Sequence, residues 1–177
     1  MQDPGMIQYP DVPIGFKFKP TDKELVSLYL KEKIEHPDQF RVPCMPDTNI
    51  YDFHPENLLN THGFTEGNKD AYFFSSREKK HGHGTRANRI VKDDSGFWCI
   101  SQAKKPVLAD DGSTIGHKSG LVFYNGKKKT KGTKTKWLMQ EFEISEHEPK
   151  IQCSRMKSYD RVICHIYEHI KKKSTSN

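Results

Sequence analysis

The sequence predicts an α+β fold in which an antiparallel β-sheet follows the main helix along the chain, and three observations predict it. One amphipathic helical stretch lies near the start. From residue 70 onward, aromatic and β-branched runs alternate with Gly, Asn and Asp. Between those runs no spacing suits a crossover helix, so the strands are expected to pair antiparallel.

The helix is "PTDKELVSLYLKEKI". Thr21 as N-cap with Glu24 three residues on forms a capping box, and Leu25, Leu28 and Tyr29, flanked by Val26 and Leu30, make an apolar stripe. The spacing predicts a helix from about Asp22 to Ile34, ending before His36-Pro37 because the residue before a proline avoids the helical region. "HPENLL" predicts a short second helix with Pro55 in its first position. Strands are expected at "AYFFSS" (71–76), "GFWCIS" (96–101), "GLVFY" (120–124), "KWLMQEFEI" (136–144) and "RVICHIY" (161–167). In the fourth, Trp137, Met139 and Glu141 alternate with Leu138, Gln140 and Phe142. Between strands three and four, "NGKKKTKGTKTK" holds six lysines and no acid, a charge density that belongs on an exposed hairpin tip.

With 177 residues the chain has room for one domain with a core. A mean hydropathy of -0.85 is strongly polar, yet ten Phe, seven Tyr and two Trp supply core material that a disordered chain lacks. No apolar run approaches the roughly 20 residues that span a bilayer, and "MQDPGMIQYPDVP" lacks the features of a signal peptide. A soluble, unsecreted protein is expected, and Cys44, Cys99, Cys153 and Cys164, which form no CxxC, fit a reducing compartment. The formal charge of +6 is regional. Residues 1–69 hold 7 Lys and Arg against 11 Asp and Glu, whereas residues 70–177 hold 22 against 12. A segregated positive field suits a polyanionic partner.

Enzyme signatures are missing: there is no GxSxG, P-loop, GxGxxG or HExxH. "HGHG" (81–84) has no further ligands at a useful spacing, so no metal is expected. Cys164 and His165 are adjacent on a strand and face opposite ways, which rules out a nucleophile–base pair there. No cofactor is expected. What remains is basic. Arg77, Lys79 and Lys80 follow one strand, Arg86 and Arg89 approach the next, and Lys127, Lys128, Lys129 and Lys131 crowd the hairpin tip. Arginine offers a bidentate fork to phosphate or guanine, and lysine a point charge.

Five blocks in order, "VPIGFKFKPTDKELVSLYL", "NIYDFHPENLL", "AYFFSSREKKHGHGTRANRIVKDDSGFW", "IGHKSGLVFYNGKKKTKGTKTKWLMQEFEI" and "YDRVICHIY", resemble the NAC domain of plant transcription factors. The resemblance implies a twisted antiparallel sheet flanked by a few helices. It implies a domain over residues 12–170, between a flexible segment 1–11 and a flexible basic tail 171–177. The implied activity is nuclear, dimeric, sequence-specific binding of double-stranded DNA that regulates transcription, without membrane association. The implied DNA-facing positions are Arg77, Lys80, Arg86, Arg89, Lys105, Lys118, Lys128 and Lys131, together with Cys99 and Ser101 on the strand that enters the major groove. Dimerisation is implied at Val12, Pro13, Lys17, Thr21 and Glu24, as a homodimer or a heterodimer with related NAC proteins. In the family an arginine pairs with the acid matched by Glu24, and here Lys17 takes the arginine's place, without its bidentate fork.

The reading strand also departs from the family. Where Trp-Lys-Ala-Thr-Gly is usual, this chain has Trp98, Cys99, Ile100, Ser101 and Gln102. Period-two geometry places Cys99 and Ser101 together toward the groove and Trp98 and Ile100 toward the core. Two readings stand: a DNA-binding transcription factor domain, or a protein-interaction or heterodimerisation module of the same fold with weak DNA binding of its own.

Overall fold

The structure is a computed structural model that describes residues 7–8, 17–62, 70–77, 88–145 and 161–169. The strands among the described residues are β1 (Ile7–Gln8), β2 (Phe40–Arg41), β3 (Asp70–Ser76), β4 (Gly96–Leu108), β5 (Thr114–Asn125), β6 (Thr133–Ile144) and β7 (Arg161–Glu168). β1 and β2 form a minimal parallel pair. The other five form one antiparallel sheet in the order β3-β7-β6-β5-β4, with β3 and β4 at its edges. All five predicted strands are present. β4, β5 and β6 run well beyond their apolar runs, because ladder hydrogen bonds continue where the side chains turn polar.

The predicted helix is a continuous rod of three parts: α1 (Asp22–Glu24), a π-helical segment (Leu25–Leu30) and α2 (Lys31–Glu35). The capping box forms as expected, with Thr21 Oγ1 accepting from the Glu24 amide at 3.2 Å and Glu24 accepting from the Thr21 amide at 2.7 Å. The π segment corrects the predicted stripe. Its wider turn sets Leu25 over Leu30, so Leu25, Val26, Leu30 and Ile34 face the sheet while Leu28 is 39% exposed. The rod ends at Glu35, one residue before His36-Pro37.

On the second face lie a 3-10 turn (Ile50–Asp52) and α3 (Pro55–Thr61), the latter with Pro55 in its first turn as predicted. Two cores result. Leu25, Val26, Leu30 and Ile34 pack on Phe74, Phe142 and Ile163 of one face. Tyr51, Leu58 and Leu59 pack on Phe73, Trp98, Phe123 and Met139 of the other. The layers are helix, sheet, helix. Backbone crowding is sharpest at Gly96, where a Cβ would stand 2.3 Å from the Phe123 ring.

A buried lysine joins the rod to β2. Lys33 is wholly enclosed; its Nζ donates to Pro37 O at 2.8 Å, Phe40 O at 2.9 Å and Asp47 Oδ2 at 2.6 Å. Burial pushes its pKa down, against the pull of Asp47. Asp47 also takes Arg161 at 2.9 Å, so one carboxylate fastens the rod to β7.

Candidate nucleic-acid interface

The candidate surface is the free edge of β4. Its first three residues are buried, but from Cys99 to Pro106 eight consecutive side chains are exposed. Residues 89–91 hydrogen-bond to the outer side of β4 at Gly96 and Trp98, and from Cys99 onward the edge presents backbone donors and acceptors with no strand partner among the described residues.

Its register corrects two expectations. Ile100 pairs with Leu121, but the next pair joins Gln102 to Gly120, leaving Ser101 in a bulge. Ladder partners share a face, so Gln102 lies on the side of Cys99 and Val122, and Ser101 does not alternate with Cys99 as period two required. Trp98 is core at 2% exposure, as expected; Ile100 is 52% exposed. Ile100 turns toward the Trp98 side, but at the sheet edge nothing among the described residues covers it.

A second bulge brings Lys105 directly opposite Lys118. Two like charges opposed across a ladder repel. Lys118 is relieved by an ion pair with Asp22 in the first turn of α1, whereas exposed Lys105 has no polar partner among the described residues. Lys104 turns to the other face and pairs with Glu143. The predicted hairpin tip lies between β5 and β6, at the far end of β4, where Gly126 N donates to Ser95 O at 2.7 Å. Lys127, Lys128, Lys129 and Lys131 are all exposed there, and Lys131 takes a left-handed φ of 66° to close the turn. The tip and Lys105 are separated by about 30 Å of extended chain.

Arg77 and Arg89 occupy a different setting. Arg89 Nη2 donates to Glu141 Oε1 at 3.0 Å, and Arg77 bridges Glu141 at 3.4 Å and Glu143 Oε2 at 2.7 Å. Tyr51 OH donates to the other Glu141 oxygen at 2.9 Å. Glu141 is only 3% exposed. Burial, then the Glu141 charge, drive the Tyr51 pKa well up. Burial raises the Glu143 carboxyl but the Lys104 hydrogen bond and Arg77 outweigh it, holding its pKa below the ordinary glutamate range. Three cations thus bracket two carboxylates of β6, and Trp98 N donates to Arg89 O at 2.8 Å to tie β4 to the same cluster.

Lys80 and Arg86 lie outside the described residues, as do Val12, Pro13 and the "HGHG" stretch. Of the remaining dimerisation positions, Thr21 and Glu24 are engaged in the capping box and Lys17 is exposed. The α2 end brings ligand atoms of Glu32, Glu35 and His36 within 4.8 Å of one another at the surface. Their Glu32–His36 contact, at 4.0 Å, is an ordinary i,i+4 pair. Among the described residues no helix is long and apolar enough to cross a membrane.

Comparison with known proteins decides the family. The family model described as No apical meristem (NAM) protein matches residues 13–144. The chain belongs to the NAC-domain family. It is 41% identical over 157 residues to NAC domain-containing protein JA2L of Solanum lycopersicum, covering 89% of this chain and 42% of that protein. Identity to NAC domain-containing protein 72 of Arabidopsis thaliana is 40%, over 89% of this chain and 50% of that one. NAC transcription factor 56 of Arabidopsis thaliana is 38% identical over 90% of this chain and 45% of its own length. The chain spans about half the length of the curated relatives it matches.

Within this NAC domain, sequence reasoning missed Glu141 as the hub of the arginines, although the signal was present. The alternation of β6 had set Glu141 on the face of Trp137 and Met139, and an acid on a core face requires a buried cationic partner. Gln102 had no such signal, because a bulge leaves no trace in period-two alternation.

Proposed function

We propose that this NAC domain binds double-stranded DNA sequence-specifically, as a dimer, in the nucleus, as the DNA-binding part of a transcription factor and not as an enzyme. One observation carries the reading: the exposed edge strand of residues 99–106, flanked at one end by the Lys105–Lys118 pair and at the other by the lysine tip. A two-stranded ribbon or a strand fits the roughly 12 Å major groove. The lysines Lys105, Lys128 and Lys131, with Lys118 once it exchanges Asp22 for phosphate, meet phosphate and release counterions, which supplies affinity without sequence preference. Lys80 and Arg86 join this set as the family resemblance implies. Arg77 and Arg89 act one step back. Their guanidiniums are turned onto Glu141 and Glu143, and their role in this reading is to hold the approach to β4 in place. At the N-terminal side, Val12, Pro13, Lys17, Thr21 and Glu24 form the dimer contact in this proposal, with Lys17 supplying a single charge to Glu24 of a related chain.

Duplex titration across salt concentrations tests the proposal. If these six cations per copy reach phosphate, log affinity falls with log salt at a slope of about -5 per copy, and two chains bind each site. Lys128→Ala makes that slope shallower by about one unit and weakens specific and random duplexes alike. A slope near zero overturns the reading. A second reading, a protein-interaction module of the same fold, is favoured by one feature, the half-exposed apolar side chains Ile100 and Leu108 on an unpaired edge. Under it the same titration yields weak binding with no preference between duplexes.

A further inference from the structure

Resting on the DNA-binding reading above, we infer that Gln102 is a specificity-determining residue of this chain, reading an adenine in the major groove. The bulge at Ser101 puts Gln102 on the same side of the edge strand as Cys99, with its side chain exposed. Within the exposed run its neighbours are Cys99, Ile100, Ser101, Ala103, Lys104, Lys105 and Pro106. Gln102 alone carries a planar amide that donates and accepts at once, the pattern that pairs bidentately with the N6 donor and N7 acceptor of adenine. The lysines supply charge without that code, and Lys104 is held by Glu143 on the other face.

The fold also seats this side chain. Gly120, its ladder partner, has no Cβ, and one placed there would stand 3.0 Å from Gln102 Cβ and 3.1 Å from both its Cγ and Oε1. Gln102 therefore lies across the backbone of β5 with its amide oxygen over Gly120, and reading a base turns that amide outward from its seat. A glutamine loses much rotamer freedom on binding; a stem already laid against the sheet has less to lose. Three residues further, about 10 Å along the strand, the Lys105–Lys118 pair stands on the same face. Half of a groove roughly 12 Å wide is about 6 Å, so a lysine about 10 Å from a mid-groove glutamine stands past the groove wall, on the side of the flanking phosphates. Gln102 over the bases and the lysine pair on the backbone are thus compatible in one placement.

Selection from a random-centre duplex library tests the inference, with the unaltered chain, Gln102→Ala and Gln102→Glu compared at one salt concentration. The unaltered chain selects adenine at one position by about tenfold or more over other bases. Gln102→Ala loses that preference at that position and keeps the salt slope. Gln102→Glu, which can only accept hydrogen bonds when ionised, moves the preference to cytosine through its N4 donor. Circular dichroism and melting checks establish that these exposed substitutions leave the fold intact. Identical selected sequences for all three proteins overturn the inference and leave the DNA-binding reading standing. Failure of the unaltered chain to bind duplex overturns the reading, and the inference with it.

Discussion

Glu141 shows how a single residue can decide what its neighbours are free to do. A carboxylate in a nearly closed site is tolerated only with cationic or hydrogen-bonded partners, and here Arg77, Arg89 and Tyr51 supply them. Two arginines that the sequence marks as candidate DNA contacts thereby acquire a structural task. Arg89→Ala leaves Arg77 and Tyr51 in place, so the expected loss of stability is about 2 kcal/mol, below the roughly 3–5 kcal/mol of a fully broken buried pair. Urea denaturation measures it, and a midpoint unchanged from the parent protein contradicts the role. The neighbouring Glu143 adds a pH dependence of definite sign. Its carboxyl is held below its ordinary value, so its contribution is present above about pH 4.3 and is lost as pH falls through the depressed value. Glu143→Gln should flatten stability in that acid range.

At the scale of elements, the helix and strands were legible because their signals are local. The capping box at Thr21 and Glu24, the proline at position 55 and the aromatic runs of β3, β5 and β7 each state their structure within a few residues. The failures have a common physical origin. Leu28 is exposed because a π turn rotates the stripe, and Ile100 and Ser101 depart from alternation because a bulge inserts one residue. Both irregularities are set by tertiary fit, which short-range periodicity does not carry. Lys33 is a similar case: a lysine in a helical pattern reads as solvated, yet it is enclosed by the carbonyls of Pro37 and Phe40 and by Asp47. Lys33→Ala removes a charged donor from Pro37 O, Phe40 O and Asp47, of which Pro37 O still accepts from Arg41 Nη1 at 3.0 Å, and hydrogen bonds to charged groups contribute about 1.5–3 kcal/mol. An expected fall of about 3 kcal/mol in unfolding free energy is readable by thermal or urea melts, and a loss under 0.5 kcal/mol contradicts the clamp.

For the whole molecule, the division of charge and the division of layers coincide. The acid-rich first 69 residues supply the helices that cover the sheet, and the basic remainder builds the sheet whose free edge is β4. Helix Asp22 reaches across to Lys118, so the rod beside the proposed dimer contact is linked by a charge pair to the proposed DNA edge. A sheet clad on both faces leaves its edge as the place where backbone and side chains together can meet a groove. Amide chemical-shift mapping during titration with a selected duplex tests this most directly. The account predicts that the largest shifts fall between Cys99 and Lys105, with a second set at Lys127–Lys131; shifts confined to the opposite edge at β3, with β4 silent, would contradict it.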